Sequence, residues 1–207
     1  MPTLAYSIPK ARSNLAYDAL VIVTGSLVVA ALAQLSIKLP FTPVPITGQT
    51  LGVLLVGTSL GALRGGLALL VYLGWGAIGL PFFAEGNSGT EWLGATAATG
   101  GYLWGFVLAG AVVGWLAERG WDRNFGSAIG TFVIGEVIVF TFGVIWLAQA
   151  INVPIEASTP CNLATGTGCD ALQLGLYPFV IGDLLKLLIA AGALPAAWKL
   201  LGREPRT

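Results

Sequence analysis

Three charged residues sit where charge is expensive. Asp183, Lys186 and Glu136 all fall inside long apolar stretches of the chain. An ionisable group within a membrane-spanning segment is rare, and each is a functional hypothesis with a partner to be named. Asp183 and Lys186 are three residues apart, so on a helix they share a face. One reading is a mutual ion pair that holds their helix in a bundle. The other is a cavity wall. There an ammonium takes a ligand carboxylate, and a carboxylate accepts N–H bonds from a urea or amide group. Glu136 has three readings: facing a cavity, facing a partner subunit, or lying near the interface of a tilted helix.

Polar residues at two other segment starts add to this set. Thr47-Gly48-Gln49-Thr50 opens one apolar stretch, and Gln49 offers donors and an acceptor. Thr47 is also explained as a helix cap. Thr99-Gly100-Gly101-Tyr102 opens another, where paired glycines permit close backbone approach. Tyr102 is either a pocket residue or an interface-belt aromatic.

The elements that must position these groups are membrane helices. Of 207 residues 56% are hydrophobic and only 10% charged, against roughly 25% charged in soluble domains. Disordered chains are polar and charged, so disorder is excluded as well. A membrane helix needs about 20 mostly apolar residues. Six spans meet this: 19–37, 46–63, 65–80, 100–116, 125–151 and 174–201, the third being short and glycine-rich. Pro40, Pro43 and Pro45 make the first connection a loop, since proline breaks helices and disfavours helix in the residue before it. The fold class is therefore all-α, one six-helix domain over 1–207, because an open sheet cannot span lipid.

Orientation follows from lysine and arginine, which concentrate in cytoplasmic loops. With six spans, one side holds Lys10, Arg12, Arg64, Arg119, Arg123, Lys199, Arg203 and Arg206, and the other only Lys38. Both termini, including the 1–18 segment, are thus expected in the cytoplasm. The 38–45, 81–99 and 152–173 loops face outward, so all the pocket candidates lie in the outer half. Residues 1–18 lack an apolar core with a small-residue cleavage site, and no removable signal peptide is read there. Cys161 and Cys169 share the outward 152–173 loop. Oxidising compartments favour a bridge, which would contribute roughly 2–4 kcal/mol; the alternative is two free thiols. Ser26 and Ala30 have the spacing of close helix contacts, within the bundle or against another membrane protein.

Absences narrow the function classes. There is no histidine, so the commonest metal ligand and general base are missing, and two cysteines supply too few zinc ligands. No metal or cofactor is expected. No G-x-x-x-x-G-K-[ST] phosphate loop occurs. Net charge is zero, which gives no field favouring nucleic acid. A rival membrane-enzyme reading would use Asp183 or Glu136 as acid or base.

Several ordered motifs together resemble one family. Pro43-Val44-Pro45-Ile46-Thr47 and Gln49-Thr50-Leu51-Gly52 are followed by Gly79-Leu80-Pro81-Phe82-Phe83. Then come Thr99-Gly100-Gly101-Tyr102-Leu103-Trp104-Gly105-Phe106 and Phe142-Gly143-Val144-Ile145-Trp146-Leu147-Ala148. Tyr177-Pro178-Phe179 and Gly182-Asp183-Leu184-Leu185-Lys186 complete the series. These resemble BioY proteins, the biotin-specific substrate-binding S components of energy-coupling-factor (ECF) transporters, over about residues 19–200. The resemblance implies a six-helix subunit of the cell membrane that captures biotin from outside without catalysing a reaction, the nearest rival being an S component of the same architecture for another vitamin. It implies partners too: a transmembrane coupling subunit and two cytosolic ATPases. Carried over, the substrate-binding residues are Gln49, Tyr102, Asp183 and Lys186. Lys186 would meet the valerate carboxylate, and Asp183 with Gln49 the ureido ring. Thr47, Phe83, Asn87 and Thr99 are lid or pocket candidates. Three features depart from the family pattern. Gly94-Ala95-Thr96-Ala97-Ala98 replaces the usual Gly-Pro before Thr99, Glu85 and Glu91 make their loop acidic, and the 152–173 loop is longer than expected.

Overall fold

The computed structural model describes residues 3–7, 15–156, 161–162 and 168–200. Lys10, Arg12, Arg203 and Arg206, used above for orientation, lie outside these residues. The described residues include seven α-helices: α1 (Leu15–Ala33), α2 (Gln49–Leu60), α3 (Ala62–Ala77), α4 (Gly100–Ala117), α5 (Phe125–Ala150), α6 (Ala171–Gly175) and α7 (Val180–Leu200). Four of them, α1, α4, α5 and α7, are long and apolar enough to cross a membrane. The other two expected spans are shorter. Helix α2 has 12 residues and α3 has 16, or about 18 and 24 Å at 1.5 Å per residue, against a hydrocarbon core of about 30 Å.

Each boundary that departs from expectation has a physical cause. The start of the second span is taken by a strand. Ile46–Thr47 (β2) pairs antiparallel with Ser36–Ile37 (β1), so α1 stops at Ala33 and α2 begins at Gln49. This ribbon is a small departure from a purely helical fold. Helices α2 and α3 break at Gly61, whose φ of 87° favours glycine. The first N–H of α3, on Ala62, donates to Glu118 Oε1 at 2.9 Å, so the cap comes from the far end of α4. The sixth span is cut in two. Pro178 disfavours helix at Tyr177, and α7 starts only at Val180. The stretch before it folds as α6, which takes the last residues of the expected 152–173 loop. Asp170 and Gln173 close a capping box at its start.

Helix α4 is central. It packs on α5, α3 and α2 and is mostly buried, whereas most of α1 is not. Gly57 of α2 lies against Gly110 of α4 so closely that a Cβ there would stand 2.6 Å from the Gly110 carbonyl oxygen. Ser26 and Ala30 are buried within the bundle, where Trp75 Nε1 donates to Ser26 Oγ. The outer faces carry exposed apolar residues such as Leu20, Leu27, Val137, Ile181 and Leu184.

Polar contacts mark one end of the bundle. Arg64 holds Asp18 through two bonds of 3.0 and 3.2 Å, joining α3 to α1. Trp198 Nε1 donates to Asp122 Oδ2 at 2.7 Å, tying the end of α7 to the α4–α5 turn.

Candidate ligand site

At the opposite end of the bundle a cavity of about 120 Å³ opens between α2, α4, α5 and α7. Gln49, Tyr102, Asp183, Lys186, Thr47, Phe83, Asn87 and Thr99 all line it. These residues come from four separate regions of the chain, and the fold brings them to one surface.

The charged wall is a three-group cluster. Lys186 Nζ donates to Asp183 Oδ1 at 2.5 Å and to Thr50 Oγ1 at 3.1 Å. Thr50 Oγ1 donates in turn to the same Asp183 oxygen at 2.9 Å. The i, i+3 spacing on α7 places lysine and carboxylate side by side, and α2 adds the hydroxyl. The side chains of Lys186 and Asp183 are only 15% and 7% exposed. Such burial is tolerated because each charge is paired and hydrogen-bonded.

Gln49 belongs to a second network. Its Oε1 accepts from Thr47 Oγ1 at 2.9 Å, and its Nε2 donates to Tyr72 Oη at 2.6 Å. Tyr72 donates onward to the Phe82 carbonyl at 3.2 Å. The amide is thereby held in one orientation, with one N–H not used by these bonds.

Tyr102 is buried, so the interface-belt reading does not hold. Its hydroxyl donates to the Gly175 carbonyl at 2.7 Å, and its ring packs edge-on to Phe140. Gly143 and Gly175 both stand so close to this ring or its hydroxyl that a Cβ would collide. Thr42 Oγ1 donates to the Leu174 carbonyl at 2.6 Å, fastening the first loop to α6.

The mouth is framed by loops. Gln34 Nε2 donates to the carbonyls of Pro81 and Phe83 at 3.3 and 3.2 Å. Lys38 Nζ meets Glu85 Oε2 at 3.4 Å across the opening. Asn87 Nδ2 donates to the Ala84 carbonyl and shapes the turn behind Phe83. Cys161 and Cys169 are joined by a disulfide with a Cα–Cα distance of 4.4 Å, next to the start of α6.

Two members of these hydrogen-bond networks, Thr50 and Tyr72, are not among the site candidates that the sequence offers. Thr50 was visible inside the Thr47–Thr50 motif, but its bonds run to α7 and its neighbours in sequence do not announce them. Tyr72 carried no signal, because its partner Gln49 lies on another helix. Glu136 stands apart: it does not line this cavity but a second one, between α5 and α7.

A cavity that joins a buried ammonium, a carboxylate and an oriented amide suits a small ligand carrying both an anion and N–H groups. Comparison with known sequences then decides the family. A sequence model of the BioY family matches residues 7–203. This chain belongs to the BioY family. The biotin transporter BioY of Thermotoga maritima is 36% identical over 155 residues, covering 75% of this chain and 81% of that protein. BioY of Rhizobium etli is 33% identical over 162 residues, covering 75% and 78%. BioY2 of Lactococcus lactis is 32% identical over 173 residues, covering 84% and 85%. Among solved structures, the crystal structure of the S-component for biotin from an ECF-type ABC transporter matches with a TM-score of 0.73. It is 25% identical and the match covers 91% of this chain and 95% of that one. With its apolar helices, this BioY-family chain is a membrane protein.

Proposed function

We propose that this protein binds biotin from outside the cell and acts as the substrate-capture subunit of an ECF-type transporter, not as an enzyme. The reading has six membrane crossings in one domain over 1–207, with both termini in the cytoplasm of a cell-membrane protein. Helices α2 and α3 are short for that crossing, which the bilayer accommodates by thinning around them. A transmembrane coupling subunit and two cytosolic ATPases supply the energy, and the ligand needs no cofactor.

The observation that carries this reading is the single cavity shared by the Lys186–Asp183–Thr50 cluster and the Gln49–Tyr72 network. Two of the three Lys186 N–H groups are used by Asp183 and Thr50, which leaves one for the valerate carboxylate. Asp183 accepts an N–H of the ureido ring, and the remaining Gln49 N–H reaches the ureido carbonyl. Tyr102 and Phe83 form the apolar walls, with Thr47, Asn87 and Thr99 at the edge where the loops close. The Cys161–Cys169 bridge holds α6 against that edge.

Calorimetric titration of the ligand-stripped protein with biotin tests this, with Lys186→Ala beside it. Truncating one partner of a buried charge pair removes about 2–5 kcal/mol, so the mutant should bind at least about 30-fold more weakly. Tight binding unchanged in the mutant would discard the carboxylate role. No heat from folded wild-type protein would discard biotin.

A further inference from the structure

Glu136 is the charged group that capture leaves unused. It sits near the middle of α5, in Phe125–Ala150. It is 9% exposed, and neither carboxyl oxygen has a hydrogen-bond partner among the described residues. It lines an apolar groove of about 450 Å³ between α5 and α7, which opens past the exposed residues Val137 and Leu184. Asp183 lines both this groove and the ligand cavity. Asp183 and Phe140 therefore stand between the two cavities, with Glu136 on the groove side.

Among the described residues the charges acting on Glu136 are Asp183 and Lys186, both on α7, while α4 and α2, which also pack on α5, carry no charged residue. Around it in the groove, α5, α6 and α7 contribute apolar side chains and Thr141, whose hydroxyl is engaged by the Val137 carbonyl. The Asp183–Lys186 pair is neutral as a unit. A ligand carboxylate seated on Lys186 adds one negative charge. An ionised Glu136 would add a second, without any donor to stabilise it. Like charges in such low-dielectric surroundings repel strongly. An anion in the cavity and a proton on Glu136 therefore favour one another, and that preference is reciprocal.

We infer that Glu136 is a proton-binding site linked to ligand capture: an anionic ligand in the cavity holds a proton on Glu136, and loss of that proton loosens the anion. This rests on the reading of Lys186 as a carboxylate seat. Protonation of a group that the ligand never touches thus adjusts the hold on the ligand.

The test uses the full chain in lipid nanodiscs, titrated with biotin and with the uncharged analogue biotinamide. Titrations run from mildly acid to mildly alkaline pH, in two buffers of different ionisation enthalpy. Biotin binding should take up as much as one proton per ligand. Its affinity should fall with rising pH by at most about tenfold per pH unit, the limit for one linked proton. Biotinamide should show neither effect. Glu136→Gln should bind biotin with an affinity flat in pH and should take up no proton. Wild-type binding of biotin without proton uptake anywhere in the range overturns the inference. So does equal uptake with biotinamide, or a Glu136→Gln profile like the wild type. Failure of folded wild-type protein to bind biotin at all strikes the proposed function itself, and the proton linkage falls with it.

Discussion

Thr50 shows how much one hydroxyl can organise. It donates to Asp183 and accepts from Lys186, so it fixes the angle between two charges on another helix. Thr50→Val keeps the shape and removes both bonds. At about 0.5 kcal/mol for each of the two bonds, the low end for a net intramolecular bond, the loss is about 1 kcal/mol and biotin affinity should fall roughly fivefold, less than for Lys186→Ala, in the same calorimetric titration. Asp122 lies in the α4–α5 turn, outside the membrane helices. Burial pushes its carboxyl above the ordinary carboxylate range, against the opposing pull of Trp198, its own backbone N–H and Arg123. Because the folded-state value is raised, the stability this group contributes is full below the ordinary carboxylate range and is lost as pH rises through the raised value. Asp122→Asn keeps an acceptor for Trp198 and has no charge to desolvate. Its melting temperature should match the wild type in acid and exceed it near neutral pH. A gap that shrinks with rising pH would contradict the assignment.

At the scale of elements, the five-residue α6 does more than its length suggests. Its carbonyls receive Thr42 from the first loop and Tyr102 from α4. Too short to be stable alone, it is held by its capping box and by the neighbouring disulfide. Cys161→Ser with Cys169→Ser should lower unfolding stability by about 2–3 kcal/mol, the chain-entropy value for a loop this short. Thermal denaturation checks this: a reducing agent should lower the wild-type midpoint to that of the double mutant and leave the mutant unmoved. Helix α3 makes the same point differently, since its first N–H is capped by Glu118, which is remote in sequence. No local pattern around Gly61 reveals that partner.

For the whole molecule, the proposed topology puts the ligand cavity and the Asp18–Arg64 and Asp122–Trp198 contacts on opposite sides of the membrane. The native cysteines are bridged, so single introduced cysteines can report sidedness. Glu85→Cys should react with a membrane-impermeant maleimide in right-side-out vesicles, and Arg119→Cys only in inverted ones. The reverse pattern would turn the protein over and place the cavity mouth inside.

Composition by itself determined that the chain lives among apolar helices, because so few charges cannot cover a soluble surface of this size. The spacing of Asp183 and Lys186 determined that they share a helix face, because a helix repeats every 3.6 residues whatever surrounds it. The ordered motifs pointed to residues that line one cavity, from Gln49 to Lys186. Tertiary structure decided the helix boundaries at Thr47 and Gly61, because they depend on strand pairing and a remote cap. It alone supplied Thr50 to Asp183 and Tyr72 to Gln49, since a hydrogen bond between helices leaves no periodic trace in either. It also set Glu136 behind the cavity wall and not within it. That difference is one of helix rotation, which in a lipid-facing helix apolar on nearly every side the sequence pattern does not encode.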